Sequence, residues 1–239
     1  MSLLRPVESA APELSVVVGS TPEYDHAGVV DALRRQTASF PYEVLIVNDG
    51  DLDRSAARNV GLDAADADVV ALTDDDCRPP PEWLRRIKEA FDRNPDLACL
   101  EGAVHGGAHY GGRRHYVGCN LAVDPEAALS VGGFDSDFAG WREDTEFGWR
   151  MERDATGNCR FDPQVRMCHP TVPRSPLDRR RERMLRRAYP ERYATILDDT
   201  LGKRLYRTAR AAGVTAAALS VMNRGRRFAG RVVPGVWDC

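Results

Sequence analysis

The sequence predicts an α/β fold, a mixed and mainly parallel sheet flanked by helices, followed by a basic helical appendage. Three observations predict it. Short apolar, β-favouring runs alternate with stretches of helical periodicity over the first hundred residues. Each run stops at a turn-forming or acidic cluster, as strands buried in a parallel sheet do. Charge also divides unevenly: residues 1–177 carry 18 Lys and Arg against 30 Asp and Glu, whereas residues 178–239 carry 15 against 6. A basic tail on an acidic body suggests two units, 1–172 and 173–239, with different partners.

In order, Leu14–Gly19 reads as the first strand, ended by Ser20-Thr21-Pro22. Asp25 to Gln36 suits a helix with Val29, Val30 and Leu33 on one face, and Phe40-Pro41 breaks it. Glu43–Asn48 is a second buried strand, running into Asp49-Gly50-Asp51. Arg54 to Ala65 reads as a helix. Val69–Thr73 is a third strand, running into the carboxylates Asp74, Asp75 and Asp76, and three prolines soon force a turn. Pro81 then opens a helix that reaches Asn94. Right-handed crossovers put the three strand ends at one sheet edge, bringing Thr21, Asp49 and Asp76 together. Gly102 to Gly118 reads as a Gly/His-rich loop, either a surface loop or an ordered lid. A short strand at Asn120–Val123, a short helix at Pro125–Val131, the stretch Gly140–Glu146 leading into a helix through about Arg153, and a last strand at Val165–Pro170 complete the body.

Composition is that of an ordinary globular chain, and no apolar run is long enough to span a bilayer. Met1 to Glu13 lacks the apolar core of a signal peptide. The six cysteines are scattered with no C-x-x-C pair, so free thiols of a cytoplasmic protein are expected and a zinc site is not.

Three adjacent carboxylates at the carboxyl end of a core strand repel one another unless a cation sits among them. Hard divalent ions, Mg²⁺ or Mn²⁺, take such oxygen ligands and share them with phosphates. A solvated acidic loop is the plain alternative. The rest of the chain favours the cation. Val47-Asn48-Asp49-Gly50, Ala57-Arg58-Asn59-Val60-Gly61, Leu72-Thr73-Asp74-Asp75-Asp76, Pro81-Glu82-Trp83-Leu84, Gly118-Cys119-Asn120, Gly132-Gly133-Phe134-Asp135 and Glu143-Asp144 occur in this order. Over roughly residues 13–172 the sequence resembles family 2 inverting glycosyltransferases of the GT-A, Rossmann-like fold. Phe138–Glu146 with Met167-Cys168-His169 is also similar to the C-terminal half of galactosyltransferases. Two places depart from the family pattern: Asn48-Asp49-Gly50-Asp51 replaces Asp-Asp-Gly-Ser, and the first strand ends in Gly-Ser-Thr rather than Pro-Thr.

The resemblance implies a metal-dependent, single-displacement transfer of a sugar from a nucleotide-diphosphate donor, a UDP-sugar first, to an acceptor hydroxyl on a glycan or a lipid-linked acceptor. It assigns Asp76 and His169 to the metal, and Asp74 or Asp75 to the ribose or a metal-bound water. Thr21 and Asp49 fall to the nucleoside and Arg58 to the phosphates or the acid cluster. Asp144 becomes the general base, Glu143 orients the acceptor, and Trp141 stacks on a sugar face. Each has a plainer alternative: Asp49 in an Asp-Gly turn, Arg58 on a helix surface, the acids of 143–144 as helix caps, Trp141 in the core, His169 as a strand-end residue. A nucleotidyltransferase and a non-catalytic nucleotide-sugar or glycan-binding module are the competing classes. Residues 19–22 lack the Gly-rich basic signature of the former. The basic C-terminal helices suggest peripheral contact with a membrane, at its cytoplasmic face, and sparse aromatics argue against nucleic acid.

Overall fold

A computed structural model of the chain describes residues 2–106, 114–170 and 177–197. A single seven-stranded sheet organises them. Its strands are β1 (Ser2–Val7), β2 (Leu14–Ser20), β3 (Tyr42–Asn48), β4 (Val70–Asp74), β5 (Leu97–Gly106), β6 (Leu121–Val123) and β7 (Asn158–His169), in the spatial order β1-β3-β2-β4-β6-β5-β7. β3, β2 and β4 run parallel, and β5 and β7 run parallel to each other. β6 joins the two groups by antiparallel pairing with β4 and β5. The helices are α1 (Ala27–Arg34), α2 (Arg54–Ala64), α3 (Trp83–Asp92), α4 (Pro125–Ser130), α5 (Glu143–Asp154), α6 (Arg179–Ala188) and a single turn, α7 (Pro190–Arg192).

The unbroken apolar runs of the central strands are buried on both faces, as a helix-covered parallel sheet requires. Val16, Val18, Val44 and Ile46 pack with Val29 and Leu33 of α1 and with Trp83, Leu84 and Ile87 of α3. Val17, Leu45, Val70 and Leu72 pack on the other face with Leu62 of α2 and with Phe147, Trp149 and Met151 of α5. Register fixes the functional edge: Ser20 lies beside Asn48 and Gly19 beside Asp74, so the ends of β2, β3 and β4 form one rim. At Gly61 an added Cβ would fall 2.2 Å from Val17 Cγ1, so glycine there lets α2 lie close on β2.

Several elements differ from expectation. Residues 2–7 form an edge strand, antiparallel to β3, held by an ion pair from Arg5 to the buried Glu43. The stretch expected as a loop from Gly102 is strand as far as Gly106, and residues 107–113 lie outside the described residues. β7 starts earlier than expected. Pro163 sits where its register with β5 slips, which an edge strand tolerates because one side needs no donor. Cys77, Cys99, Cys119 and Cys159 are free thiols as expected, but Cys168 is disulfide-bonded.

Of the basic C-terminal segment, residues 177–197 pack on α5. Leu185, Tyr189, Tyr193 and Leu197 join the second core, and the Tyr189 hydroxyl donates to Glu146 Oε1 at 2.9 Å. Tyr193 donates to Glu182 at 2.7 Å, and Arg192 donates to the Trp149 carbonyl at 3.2 Å. The basic helices expected beyond 197 lie outside the described residues.

Candidate active site

β4 delivers the acids. Its run Val70-Ala71-Leu72 is fully buried, and full burial ends at Asp74, which is partly exposed at the rim. α2 delivers the cations. Its N-cap Asp53 accepts from Ala56 N at 2.9 Å, which starts the helix so that Arg54 and Arg58, one turn apart, face the same acids. Arg58 is buried, 3% exposed, and donates to Asp74 Oδ1 at 3.0 Å and to Glu143 Oε1 at 3.1 Å. Arg54 sits nearer the surface, 3.6 Å from Glu143 Oε1. One guanidinium thus ties the end of β4 to the start of α5, residues sixteen and eighty-five positions away.

α5 begins at a strained corner. Gly140 has φ 76° and Arg142 has φ 68°, a left-handed turn uncommon for a non-glycine residue. The corner aims the first turn, with Glu143, Asp144 and Glu146, at the rim. Asp144 Oδ2 accepts from Gly118 N at 3.0 Å and Oδ1 from Thr145 N at 2.7 Å. An added Cβ at Gly118 would lie 2.4 Å from Arg58 Nη2, so this glycine leaves room for the guanidinium.

The electrostatics follow from these contacts. Burial is the largest influence on Asp74 and opposes its charge. Arg58, then Arg54 and His169, outweigh burial and hold the carboxyl below its ordinary range. Burial, then the charge of Asp144, pushes Glu143 up against the pull of Arg58 and Arg54. Burial also raises Asp75, whose Oδ2 accepts from the Ser20 hydroxyl at 2.8 Å. Arg54 is held charged by Asp74 above all, and also by Glu143, Asp144 and Asp76. All five acids therefore share one field, with two arginines set into it.

His169 ends β7, with Nε2 3.5 Å from Asp76 Oδ1. One ligand atom each from Asp74, Cys77, Cys119 and His169 lie within 4.8 Å of one another, which makes a candidate metal site. Asp49 caps its own turn, accepting from Asp51 N at 2.8 Å, and that contact lowers its pKa. Thr21 lies at the end of β2, with its carbonyl accepting from Tyr24 N at 3.0 Å. Trp141 is partly buried, and the Arg142 guanidinium lies 5.7 Å from its ring centroid. The structure thus brings Asp74, Asp75, Asp76, Glu143, Asp144, Arg58 and His169 to one rim. Sequence reasoning missed Arg54, Ser20 and Gly118. The Arg54/Arg58 spacing of four on a helix was the available signal for the first.

A cavity of about 470 Å³ lies away from this rim, between β1 and α1, lined by Leu4, Pro6, His26, Val30, Arg34 and Ile46 among others. The cavity holds none of the residues that the rim gathers.

The model of Glycosyl transferase family 2 matches residues 51–171. The chain belongs to this family. The match covers α2 to the end of β7, hence every acid and arginine gathered at the rim, while Asp49 falls just before it. A glucosyl-dolichyl phosphate glucuronosyltransferase of Haloferax volcanii is 27% identical over 119 residues, 39% of this chain and 38% of that protein. The family 2 chain therefore spans well under half of that relative. The S. aureus TarS 1-349 crystal structure overlays with a TM-score of 0.54 at 17% identity, over 65% of this chain and 60% of that one. A second S. aureus TarS structure overlays with a TM-score of 0.55 at 15% identity, over 76% and 43%. These likenesses bear out the GT-A architecture expected from the sequence. The catalytic domain of Drosophila β1,4-galactosyltransferase 7, in complex with xylobiose, overlays with a TM-score of 0.48 at 23% identity, over 63% and 64%. Among the described residues no helix is long and apolar enough to cross a membrane.

Proposed function

We propose that this family 2 chain transfers a sugar from a nucleotide-diphosphate donor to an acceptor hydroxyl in one displacement, with inversion at the anomeric carbon. One observation carries the reading: Arg58 binds Asp74 at 3.0 Å and Glu143 at 3.1 Å, joining the acidic strand end to the first turn of α5. Donor phosphates and an attacking hydroxyl can then meet at one rim.

Asp144 is the general base. Its carboxylate has about four acceptor positions, and Gly118 N and Thr145 N take two, fixing its direction. The remaining lone pairs are left for an acceptor O–H, and the N-terminus of α5 favours the charged form. Glu143 faces the arginines and positions them. Arg54, at the mouth, is the cation best placed to meet a phosphate. Thr21 and Asp49 bind the nucleoside, Asp75 the ribose, and Trp141 the acceptor sugar face. Among the carboxylates of the rim none is left for a covalent sugar–enzyme intermediate: Asp74 and Glu143 pair with arginines, Asp75 with Ser20, and Asp76 is given to the cation beside His169.

Asp74, Asp76 and His169 offer oxygen and imidazole donors that fit a divalent cation such as Mg²⁺ or Mn²⁺. When bound, such an ion neutralises the leaving diphosphate. A UDP-sugar is the first donor to test. A lipid-linked acceptor suits the dolichyl phosphate in the name of the Haloferax relative. The same proposal covers the division into a transferase domain over 1–172 and a basic extension over 173–239 that meets the cytoplasmic face of a membrane.

The test begins with nucleotide sugars screened by thermal shift with Mn²⁺, because a ligand that binds only the native state raises its apparent stability. Asp144→Asn is then compared with the parent. The variant should keep the donor-induced shift and lose transfer by about 10²–10⁴-fold. Transfer undiminished in Asp144→Asn refutes the base. A product with retained anomeric configuration refutes the single displacement.

A further inference from the structure

Two buried cysteines lie beneath the acidic rim, and the function proposed above gives them no task. Cys77 follows the acid triplet, and Cys119 sits in the short turn Gly118–Asn120 before β6. Both are free thiols, 0% and 1% exposed. Their sulfurs join a carboxylate oxygen of Asp74 and an imidazole nitrogen of His169 in the cluster spanning 4.8 Å. The four residues come from the end of β4 and its following loop, the turn before β6, and the end of β7. Three separate segments of the sheet therefore converge on one point.

The donor set differs from the oxygen-rich one assigned to Mg²⁺ or Mn²⁺. Two sulfurs, one imidazole and one carboxylate make a four-coordinate set for a borderline-soft ion, whereas hard ions avoid thiolate. Zinc bonds of about 2.3 Å to sulfur and about 2.0 Å to nitrogen or oxygen imply ligand–ligand edges of roughly 3.3–3.8 Å in a tetrahedron. Side-chain movements of about 1 Å would close the cluster to those edges. Arg58 occupies only Oδ1 of Asp74, at 3.0 Å, which leaves Oδ2 for an ion.

We propose that Asp74, Cys77, Cys119 and His169 form a second cation site, selective for a borderline-soft divalent ion of the zinc class. On binding, each thiol gives its proton to solvent as its sulfur–metal bond forms, and water leaves the ion. The ion enters past Asp74 and His169, whose side chains are 21% and 16% exposed. Asp74 and His169 also belong to the hard-ion set, so the two occupancies exclude each other. That exclusion rests on the proposed function, whereas the site itself does not.

The test uses Co²⁺ alone as the probe, titrated into the full chain without donor or acceptor. One equivalent should give the intense sulfur-to-cobalt charge-transfer absorption and the visible bands of tetrahedral cobalt. Zn²⁺ should bleach them stoichiometrically, and excess Mn²⁺ should not, following the order of affinities for such ligands. Cys77→Ser/Cys119→Ser should lose the charge-transfer band while still unfolding cooperatively on heating. His169→Ala keeps both sulfurs, so it should keep the band but release cobalt to a weaker chelator than the parent does. Cobalt binding without a charge-transfer band overturns the proposal, as does a band that survives in the double serine variant. Unchanged cobalt affinity in His169→Ala likewise overturns the four-residue site. None of these readouts depends on turnover, so failed transfer and a failed soft-ion site give different results.

Discussion

Arg58→Met tests the joint on which the rim depends. The side chain is buried and serves two carboxylates, at 3.0 Å to Asp74 and 3.1 Å to Glu143, with Phe134 under the guanidinium at 5.3 Å from its centroid. Methionine keeps much of the packing and removes the charge. Glu143 then retains only Arg54, at 3.6 Å and with a side chain 56% exposed, where solvent screens it. Breaking a buried pair by deleting one partner costs about 3–5 kcal/mol, because a buried charge is left uncompensated. At about 2–4 °C per kcal/mol for a chain of this size, Tm should fall by roughly 6–20 °C. The pH dependence has a definite sign. In the parent the Asp74 carboxyl is held low, so its contribution is present above its unfolded pKa and is lost as pH falls through the folded one. In the variant both carboxyls are buried without their cation and titrate upward. Their penalty is complete at neutral pH and vanishes as pH falls into the ordinary carboxylate range, about 4. Guanidinium unfolding at neutral pH and near pH 4.5, with m-values compared, reads both effects. A variant within about 1 kcal/mol of the parent at neutral pH refutes the reasoning, and so does a gap that widens on acidification.

The remaining predictions concern supports of the same rim. Gly118→Ala places a Cβ 2.4 Å from Arg58 Nη2 and should cost about 1–3 kcal/mol in urea unfolding; no change would mean the guanidinium gives way freely. Glu101, buried on β5, accepts from the amides of Arg114, His115 and Tyr116 at 2.6, 2.9 and 2.7 Å, yet burial pushes its pKa from 4.5 up to about 7. Its contribution to stability is therefore complete below pH 4.5 and lost as pH rises through about 7; a carboxyl carbon resonance titrating near 4.5 would contradict this. Asp124→Ala removes the cap of α4, whose side chain accepts from Ala127 N at 3.0 Å, and should cost about 1 kcal/mol by the same unfolding assay, far less than Arg58→Met.

The parallel half of the sheet was legible because burial on both faces leaves a sequence signal without alternation. Val16 to Val18 and Val44 to Ile46 point alternately to opposite cores and are apolar throughout. β1 and the start of β7 were not legible, for an equally physical reason. Both are edge strands, where one side needs neither partner nor apolar cover, so Pro6, Arg5 and Pro163 are tolerated there. Glu43, where the second buried strand was expected to begin, is a charged residue that is itself fully buried, with the Ser15 hydroxyl donating to it at 2.6 Å and Arg5 beside it. Such a partner from the first residues of the chain cannot be read from local pattern.

The acids themselves were visible, since three carboxylates at a strand end demand compensation. What supplies it was only half visible. A cation was expected from outside the chain, yet Arg58 and Arg54 already oppose Asp74 and Glu143 from within. That changes the electrostatic problem an incoming ion meets. Asp74 Oδ1 is occupied by a guanidinium and Asp75 Oδ2 by the Ser20 hydroxyl, while Asp76 Oδ1 looks toward His169 at 3.5 Å. Three adjacent residues of one type thus have three different surroundings. A divalent cation therefore meets a graded set of acids: Asp74 has to share its carboxylate with Arg58, Asp76 faces His169, and Asp75 has only the neutral Ser20 hydroxyl. Arg58→Met consequently does more than destabilise the fold: it raises the negative charge presented to the ion. Cation binding by the folded variant should strengthen even as its Tm falls, and that opposite movement separates an electrostatic joint from a merely packed side chain.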